Sequence, residues 1–323
     1  MNINHVSRSF GAVKAVQDVW LTAPAGSVTG VIGPNGAGKT TTMRMILRII
    51  PCESGSITWL GKPVADWPLG TFGYLPEERG LYPKMRVRDE LIFFARLHGI
   101  SAKEALEQID YWTDILDMSA ILNMKVEELS KGNGQKVQFL AAVIHRPALV
   151  ILDEPFSGLD PVNTRLFMQA VKQLSALGST ILFSSHQMDY VEELCDRVCL
   201  IAQGRTLVHG PIDEVRKASG KQILTVRLKE FAPSERSVVD LSAEHPLQHE
   251  MGVKLQTAAP GSWRYELAPE VDTNALLQKL QQAGHVQHFS VDYPSIEDVY
   301  LATVATKNAP TTANGVVKEA NSA

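Results

Sequence analysis

Cysteine is scarce in this chain: Cys52, Cys195 and Cys199 are its 3 cysteines among 323 residues. The odd number and the lack of a CxxC pair argue against a disulfide framework or a zinc knuckle, and they fit a reducing compartment. The thiols read as small buried hydrophobes. Long apolar runs are lacking too. The stretch ALVIL at 148–152 falls far short of the roughly 18 residues that a membrane span needs, and the opening MNINHVSRSF has no apolar signal-peptide core. The expectation is a chain that neither crosses a membrane nor is exported by a signal peptide, and that reaches a membrane only through a partner. Basic charge is also short: 31 Lys and Arg against 35 Asp and Glu leave a net charge of -4. With no basic tract, nucleic acid is not expected as a partner. The chain is 45% hydrophobic and 20% charged, which suits one large domain with a smaller one, or two of medium size.

Residues 26–32, GSVTGVI, read as a short apolar strand ending in a glycine-rich turn. KTTTMRMILRII then reads as a helix whose apolar face is Met43, Ile46, Leu47 and Ile50. ALVILD and STILFSS are continuous apolar runs of the kind found in parallel strands covered on both faces. The crossover helix PVNTRLFMQAVKQLSALG between them is stopped at Gly178. An α/β core of βαβ units follows. From about 84 to 140 the period is helical with no convincing strand, which reads as a helical insertion. RVCLIAQGRTLVHG reads as two short strands around a turn at Gly204. The composition changes near KASGK, giving domains expected at 1–220 and 221–304. The second is expected to be a small α+β sandwich with strands in QILTVRLKE, WRYEL and HVQHFSVDY and a helix in TNALLQKLQQAG. The polar tail 305–323 is expected to be disordered.

Three motifs carry chemistry. GPNGAGKT, Gly33–Thr40, fits G-x-x-x-x-G-K-[ST] between a strand and a helix. Backbone N–H groups of such a loop wrap a phosphate chain at a helix N-terminus, Lys39 reaches the β and γ phosphates, and Thr40 holds Mg²⁺. ALVILDEP puts Asp153 at a strand end, where a carboxylate can serve the magnesium shell, with Glu154 beside it as the candidate general base. A pair of acids at a strand end can also be a solvated loop entry. His186, directly after the next strand, is either a structural histidine or a contact for the γ-phosphate and its attacking water. LSKGNGQKV at 129–137 sets two glycines at a helix start, where glycine costs about 1 kcal/mol relative to alanine. Ser130 and the N–H groups around Gly132 there would serve the phosphates of a nucleotide held by another copy.

On these residues the chain resembles the nucleotide-binding subunits of ABC transporters over roughly its first 220 residues. The resemblance implies a P-loop NTPase core of the ABC type with a helical subdomain at about 84–140, followed by the small C-terminal α+β domain. It implies that Phe10 stacks on adenine and that Gly33, Pro34, Asn35, Gly36, Ala37, Gly38, Lys39, Thr40 and Thr41 form the Walker A loop. YLPEERGLYP then occupies the Q-loop, LSKGN the signature, and SGLDP, with Asp160, the D-loop. Thr40, Glu77 and Asp153 become the magnesium set, Glu154 and His186 the catalytic pair. Two ATP molecules would be sandwiched between the Walker motifs of one subunit and Ser130 and Gly132 of a second, most simply in a homodimer.

Three departures from the family pattern stand out. LSGGQ reads LSKGN, with Lys131 and Asn133 in place of Gly and Gln; Gly134 follows where glutamine is common; and the Q-loop glutamine is Glu77. Because Glu154 and His186 are both present, an active ATPase is expected. LPEERGLYP, LSKGN and the terminal PSIEDVYLA look like the exporter branch that includes sodium-efflux ATPases. Members of that branch pair with a separate ABC-2-type membrane permease at the cytoplasmic face of the membrane. A drug-like cargo is the other export possibility. The competing reading is an ABC-type ATPase acting on ribosomes or DNA. A single cassette without a long coiled coil argues against it, and the signature and D-loop argue against a kinase or GTPase. Residues 294–304 read as a proline-started helix that either packs on its own sheet or braces a partner.

Overall fold

The computed structural model describes residues 1–68, 70–78, 80–229 and 245–308. The chain divides into two compact units, Met1–Ala218 and Ser219–Ala323. In chain order the first unit contains β1 (Asn2–Phe10), β2 (Val13–Thr22), β3 (Val28–Ile32), α1 (Lys39–Ile46), β4 (Ser54–Trp59), β5 (Lys62–Pro63) and β6 (Gly73–Leu75). Then come α2 (Val87–Leu97), α3 (Ala102–Leu116), α4 (Lys131–Val143), β7 (Leu149–Asp153), α5 (Pro161–Ala176), β8 (Thr180–Ser185), α6 (Met188–Leu194), β9 (Arg197–Ala202), β10 (Arg205–Pro211) and α7 (Ile212–Lys217).

Its sheet runs β5-β4-β1-β2-β10-β9-β3-β8-β7-β6. From β9 to β6 all neighbours are parallel. Every residue of β3, β7 and β8 is buried, as their unbroken apolar runs require when helices cover both faces. In the ladder Asp153 lies opposite Ser184 and Ile32 opposite Ser185. The three strands therefore end together, and whatever follows them is gathered at one edge.

β10 pairs antiparallel with β9 and parallel with β2, and beyond it the sheet is antiparallel, β2 against β1, β1 against β4, and β4 against β5. The strands beyond β10 were not legible in the sequence. Three register shifts interrupt the β1–β2 pairing, and His5 has a positive φ of 48°, so the two-residue alternation that marks a strand is broken.

Between β6 and β7 the described residues form helices and short helical turns with no strand. A Ser101–Glu104 capping box opens α3. Trp112 on α3 meets Phe139 on α4, which meets Phe167 on α5, at centroid separations of 5.9 and 4.6 Å. The insertion is thus tied by aromatic contacts to the helix that follows β7. Helix α1 ends at Ile46, with Met43 and Ile46 fully buried; Leu47 and Ile50, expected on the same face, are half-buried just beyond it.

The second unit holds β11 (Gln222–Lys229), β12 (Val253–Ala259), β13 (Ser262–Leu267), α8 (Thr273–Ala283), β14 (His285–Asp292) and α9 (Ile296–Asn308). Its four strands are antiparallel in the order β12-β13-β11-β14. The core is built from Leu224, Val226, Trp263, Tyr265, Leu276 and Leu280. β12 escaped the sequence reading because most of its residues are at least partly exposed, which leaves little hydrophobic pattern. In α9, Ile296 is fully buried and Asp298 binds Arg264 of β13 as well as the Ser295 cap. The segment packs on its own sheet. The helix also runs through residues 305–308, which were expected to be disordered. LATVATKN continues it with no glycine or proline. The rest of the expected disordered tail lies outside the described residues.

Candidate active site

Glycine is required at two points of the loop between β3 and α1. A Cβ on Gly33 would lie 2.1 Å from the carbonyl oxygen of Ile201 in β9. Gly38, at the helix N-cap, has φ +103°, a conformation that L side chains rarely adopt. With those constraints met, residues 34–41 curl around the start of α1 and line a cleft of about 600 Å³, together with Lys14, Ala15, Glu77, Ser157, Glu154 and His186.

Lys39 is almost wholly buried at the floor. Its ammonium donates to Gly33 O at 2.7 Å and Pro34 O at 3.3 Å. It also faces Glu154 Oε1 at 3.3 Å, the two side chains being only 6% and 9% exposed. Two opposite charges withheld from water in this way are stable only as partners. The other carboxylate oxygen of Glu154 lies 2.9 Å from His186 Nδ1. Glu154 itself has φ +48°, an unfavourable backbone state for a non-glycine residue that persists where surroundings enforce it. Here the enforcement is visible: the Glu154 N–H donates to Ser184 Oγ at 3.0 Å, and that hydroxyl donates to Asp153 Oδ1 at 2.5 Å.

Asp153 is fully buried. Its Oδ1 also accepts from Thr40 Oγ1 at 3.2 Å, while Oδ2 has no hydrogen-bond partner. A buried carboxylate oxygen without a donor is costly. The fit to a hard divalent cation is good, because Mg²⁺ takes one or two carboxylates and a hydroxyl and completes its shell with phosphate oxygens and water. Among the described residues no group of three or more His, Cys, Asp or Glu side chains forms a metal cage. Glu77 is exposed and lines the same cleft.

The structure thus brings together Pro34–Thr41, Glu77, Asp153, Glu154 and His186, with Gly33 supplying a carbonyl to Lys39. It does not bring the others into the cleft. Phe10 ends β1 beside the turn at Gly11, 46% exposed, with the Arg8 guanidinium 5.1 Å above its ring. Its cross-strand partner Val13 lines the cleft, and Phe10 does not. Ser130 caps α4, its hydroxyl accepting from Asn133 N at 3.2 Å. Gly132, in the first turn of α4, abuts Asn163 and Leu159. Asp160 caps α5, accepting from the N–H groups of Val162 and Asn163 and from the Asn163 amide at 2.5 Å. Those hydrogen bonds hold its carboxylate below its usual range.

Several functional neighbours were missed. Ser184 stands two residues before His186, at the end of the apolar strand STILFSS. Gln138 donates to Pro76 O and Glu78 O, anchoring the segment that carries Glu77, and Gln135 donates to Pro155 O at 3.1 Å. Two glutamines three residues apart on one buried helix were the available signal.

A glycine loop, buried lysine, strand-end acids and adjoining histidine on a parallel sheet define a nucleoside triphosphatase. Comparison with known proteins narrows the class. The family model described as ABC transporter matches residues 16–157, and the model for the C-terminal domain of DrrA1-3-like ATP-binding proteins matches 210–304. The chain is 42% identical to the uncharacterised ABC transporter ATP-binding protein YhaQ of Bacillus subtilis (strain 168), over 94% of this chain and 98% of that one. It is 31% identical to the Nod factor export ATP-binding protein I of Rhizobium sp. (strain N33), over 92% and 94%. A solved ATP-binding subunit of an ABC transporter superposes with a TM-score of 0.63 at 30% identity, covering 68% of this chain and 92% of that one. The chain belongs to the family of ABC transporter ATP-binding subunits, whose members hydrolyse ATP to power transport. Among its described residues no helix is long and apolar enough to cross a membrane.

Proposed function

We propose that this chain is the Mg²⁺-dependent ATPase of an exporter, working as a pair of copies at the cytoplasmic face beneath a separate ABC-2-type permease. The observation that carries the reading is the buried Lys39–Glu154 pair, held from the cleft side by the exposed His186, beside the orphaned Asp153 oxygen. The loop amides and the N-terminus of α1 bind the triphosphate. Phosphate oxygens offer Lys39 a better partner than two carbonyls, so the ammonium turns to them and Glu154 Oε1 is released to accept a proton from water. His186 holds the opposite oxygen and thereby sets the carboxylate plane. Thr40 and Asp153 would hold Mg²⁺, with Glu77 at the cleft wall; the ion supplies charge neutralisation as the bond to the γ-phosphoryl breaks.

Ser130 and Gly132 lie outside the cleft of their own chain, which supports their service to the nucleotide of a second copy. Export is supported by the Nod factor export relative. The sodium-efflux branch is supported by LPEERGLYP and LSKGN. The test is the solution mass of Glu154→Gln with and without ATP in the absence of magnesium. Conversion from monomer to dimer is expected. A monomer with ATP bound would sink the two-copy site, and absence of a membrane protein on co-purification would sink the permease.

A further inference from the structure

The segment that follows Glu154, through the first turn of α5, meets the start of α4 at three places within one chain. Gln135 donates to Pro155 O. Gly132 abuts Asn163, a Cβ there falling 3.1 Å from the amide nitrogen. The third place is at Gly158. Lys131 lies across Gly158, where a Cβ would sit 2.2 Å from Nζ, 2.4 Å from Cε and 2.8 Å from Cδ. Gly158 has φ +72°, so it is suited to glycine in both backbone and space. Lys131 occupies the position where the LSGGQ pattern has glycine, which makes this contact particular to the LSKGN turn.

We propose that Lys131 and Gly158 are a matched pair that ties the signature turn to the loop carrying Glu154, making Lys131 a positioning residue for hydrolysis. The connection from Gly158 back to Glu154 is short and hydrogen-bonded, Ser157 N donating to Glu154 O at 3.1 Å. Glu154 is held in a strained backbone state, so a shift of the loop moves the carboxylate directly. Misplacement of a reacting group by about 1 Å can cost on the order of a hundredfold in rate. The atoms that a new Cβ would displace belong to a flexible side chain, so the fold absorbs the change and the loss falls on turnover. The signature, which serves the other copy's nucleotide, is thereby linked to the base that serves its own. This consequence rests on the function proposed above.

The test is a double-mutant cycle on the full chain: Gly158→Ala, Lys131→Ala and both together, with kcat and KM for ATP measured for each. In the Lys131 background, Gly158→Ala is expected to lower kcat about fivefold or more with KM within about twofold. In the Lys131→Ala background the same change should cost less than about twofold, since only the backbone strain is left, and that strain is common to both arms. Equal losses in the two backgrounds would overturn the pairing. Amide hydrogen exchange gives a second readout that needs no turnover. Lys131→Ala should speed exchange at residues 156–160, and unchanged exchange would likewise overturn it. Ser130→Arg separates this inference from the two-copy reading, because hydrolysis surviving that change would remove the second copy while leaving the cycle's coupling within one chain intact.

Discussion

The phosphate cleft and the signature turn are both glycine-bearing helix starts, yet they are built to opposite ends. At α1 no side chain caps the helix, and the loop lines the cleft while Glu154 is held between Lys39 and His186. At α4 Ser130 caps its own helix, and no buried acid or lysine of the cleft stands opposite. The first is a reaction centre held together before substrate arrives, the second a docking surface complete only against something else. The contrast teaches that a glycine-rich helix start is by itself ambiguous. A buried pair of opposite charges behind it makes a catalytic site; a capped turn without such a pair makes a contact.

The sharpest way to break the contrast is at its charged side. Glu154→Gln should lower turnover about a thousandfold, the scale of a lost general base, and leave ATP binding intact. Steady-state hydrolysis with equilibrium binding checks both, and retention of more than a tenth of the rate would place the base elsewhere. Lys39→Ala comes next. It removes the phosphate ligand and leaves Glu154 buried without its cation, so ATP affinity should fall about a hundredfold by calorimetry, with a lower unfolding midpoint. Ser130→Arg should reduce hydrolysis about tenfold while leaving nucleotide binding to the isolated cleft unchanged. If hydrolysis fell only as far as binding did, the two helix starts would not differ in kind.

The smallest effect lies away from both. His145 stacks on His98 with ring centroids 3.7 Å apart, and burial, with the neighbouring imidazole, pulls its pKa down to about 4. An unfolded histidine titrates near 6.5. Between those values the unfolded chain holds a proton that the folded chain does not, so this contribution to stability is whole above about 6.5 and shrinks as the pH falls toward about 4. The unfolding midpoint should drop over that window, and less in His145→Phe. Equal pH dependence in the two proteins would remove His145 as its cause.

The parallel strands were readable because burial on both faces leaves unbroken apolar runs, and Lys39, Asp153, Glu154 and His186 because each stands at a strand end or in a spaced motif. The antiparallel half of the sheet was not. Bulged, half-exposed strands such as β1, and β12 in the second unit, carry too little hydrophobic contrast for a two-residue period to show. Ser184 and Gln138 were invisible for another reason, since their roles depend on which distant backbone group they meet. Phe10 was expected from the resemblance alone and sits one strand pairing away from the cleft.

Local sequence by itself determined the phosphate loop, the strand-end acids and the helical insertion. Backbone freedom at glycine, strand burial and helix period are properties of short stretches. Only the tertiary structure decided that Asp153 keeps one buried oxygen without a donor, that Glu154 is held between Lys39 and His186, and that Lys131 rests on Gly158. Each of these is a meeting of residues far apart in the chain, set by strand register and helix packing, which no short stretch of sequence specifies.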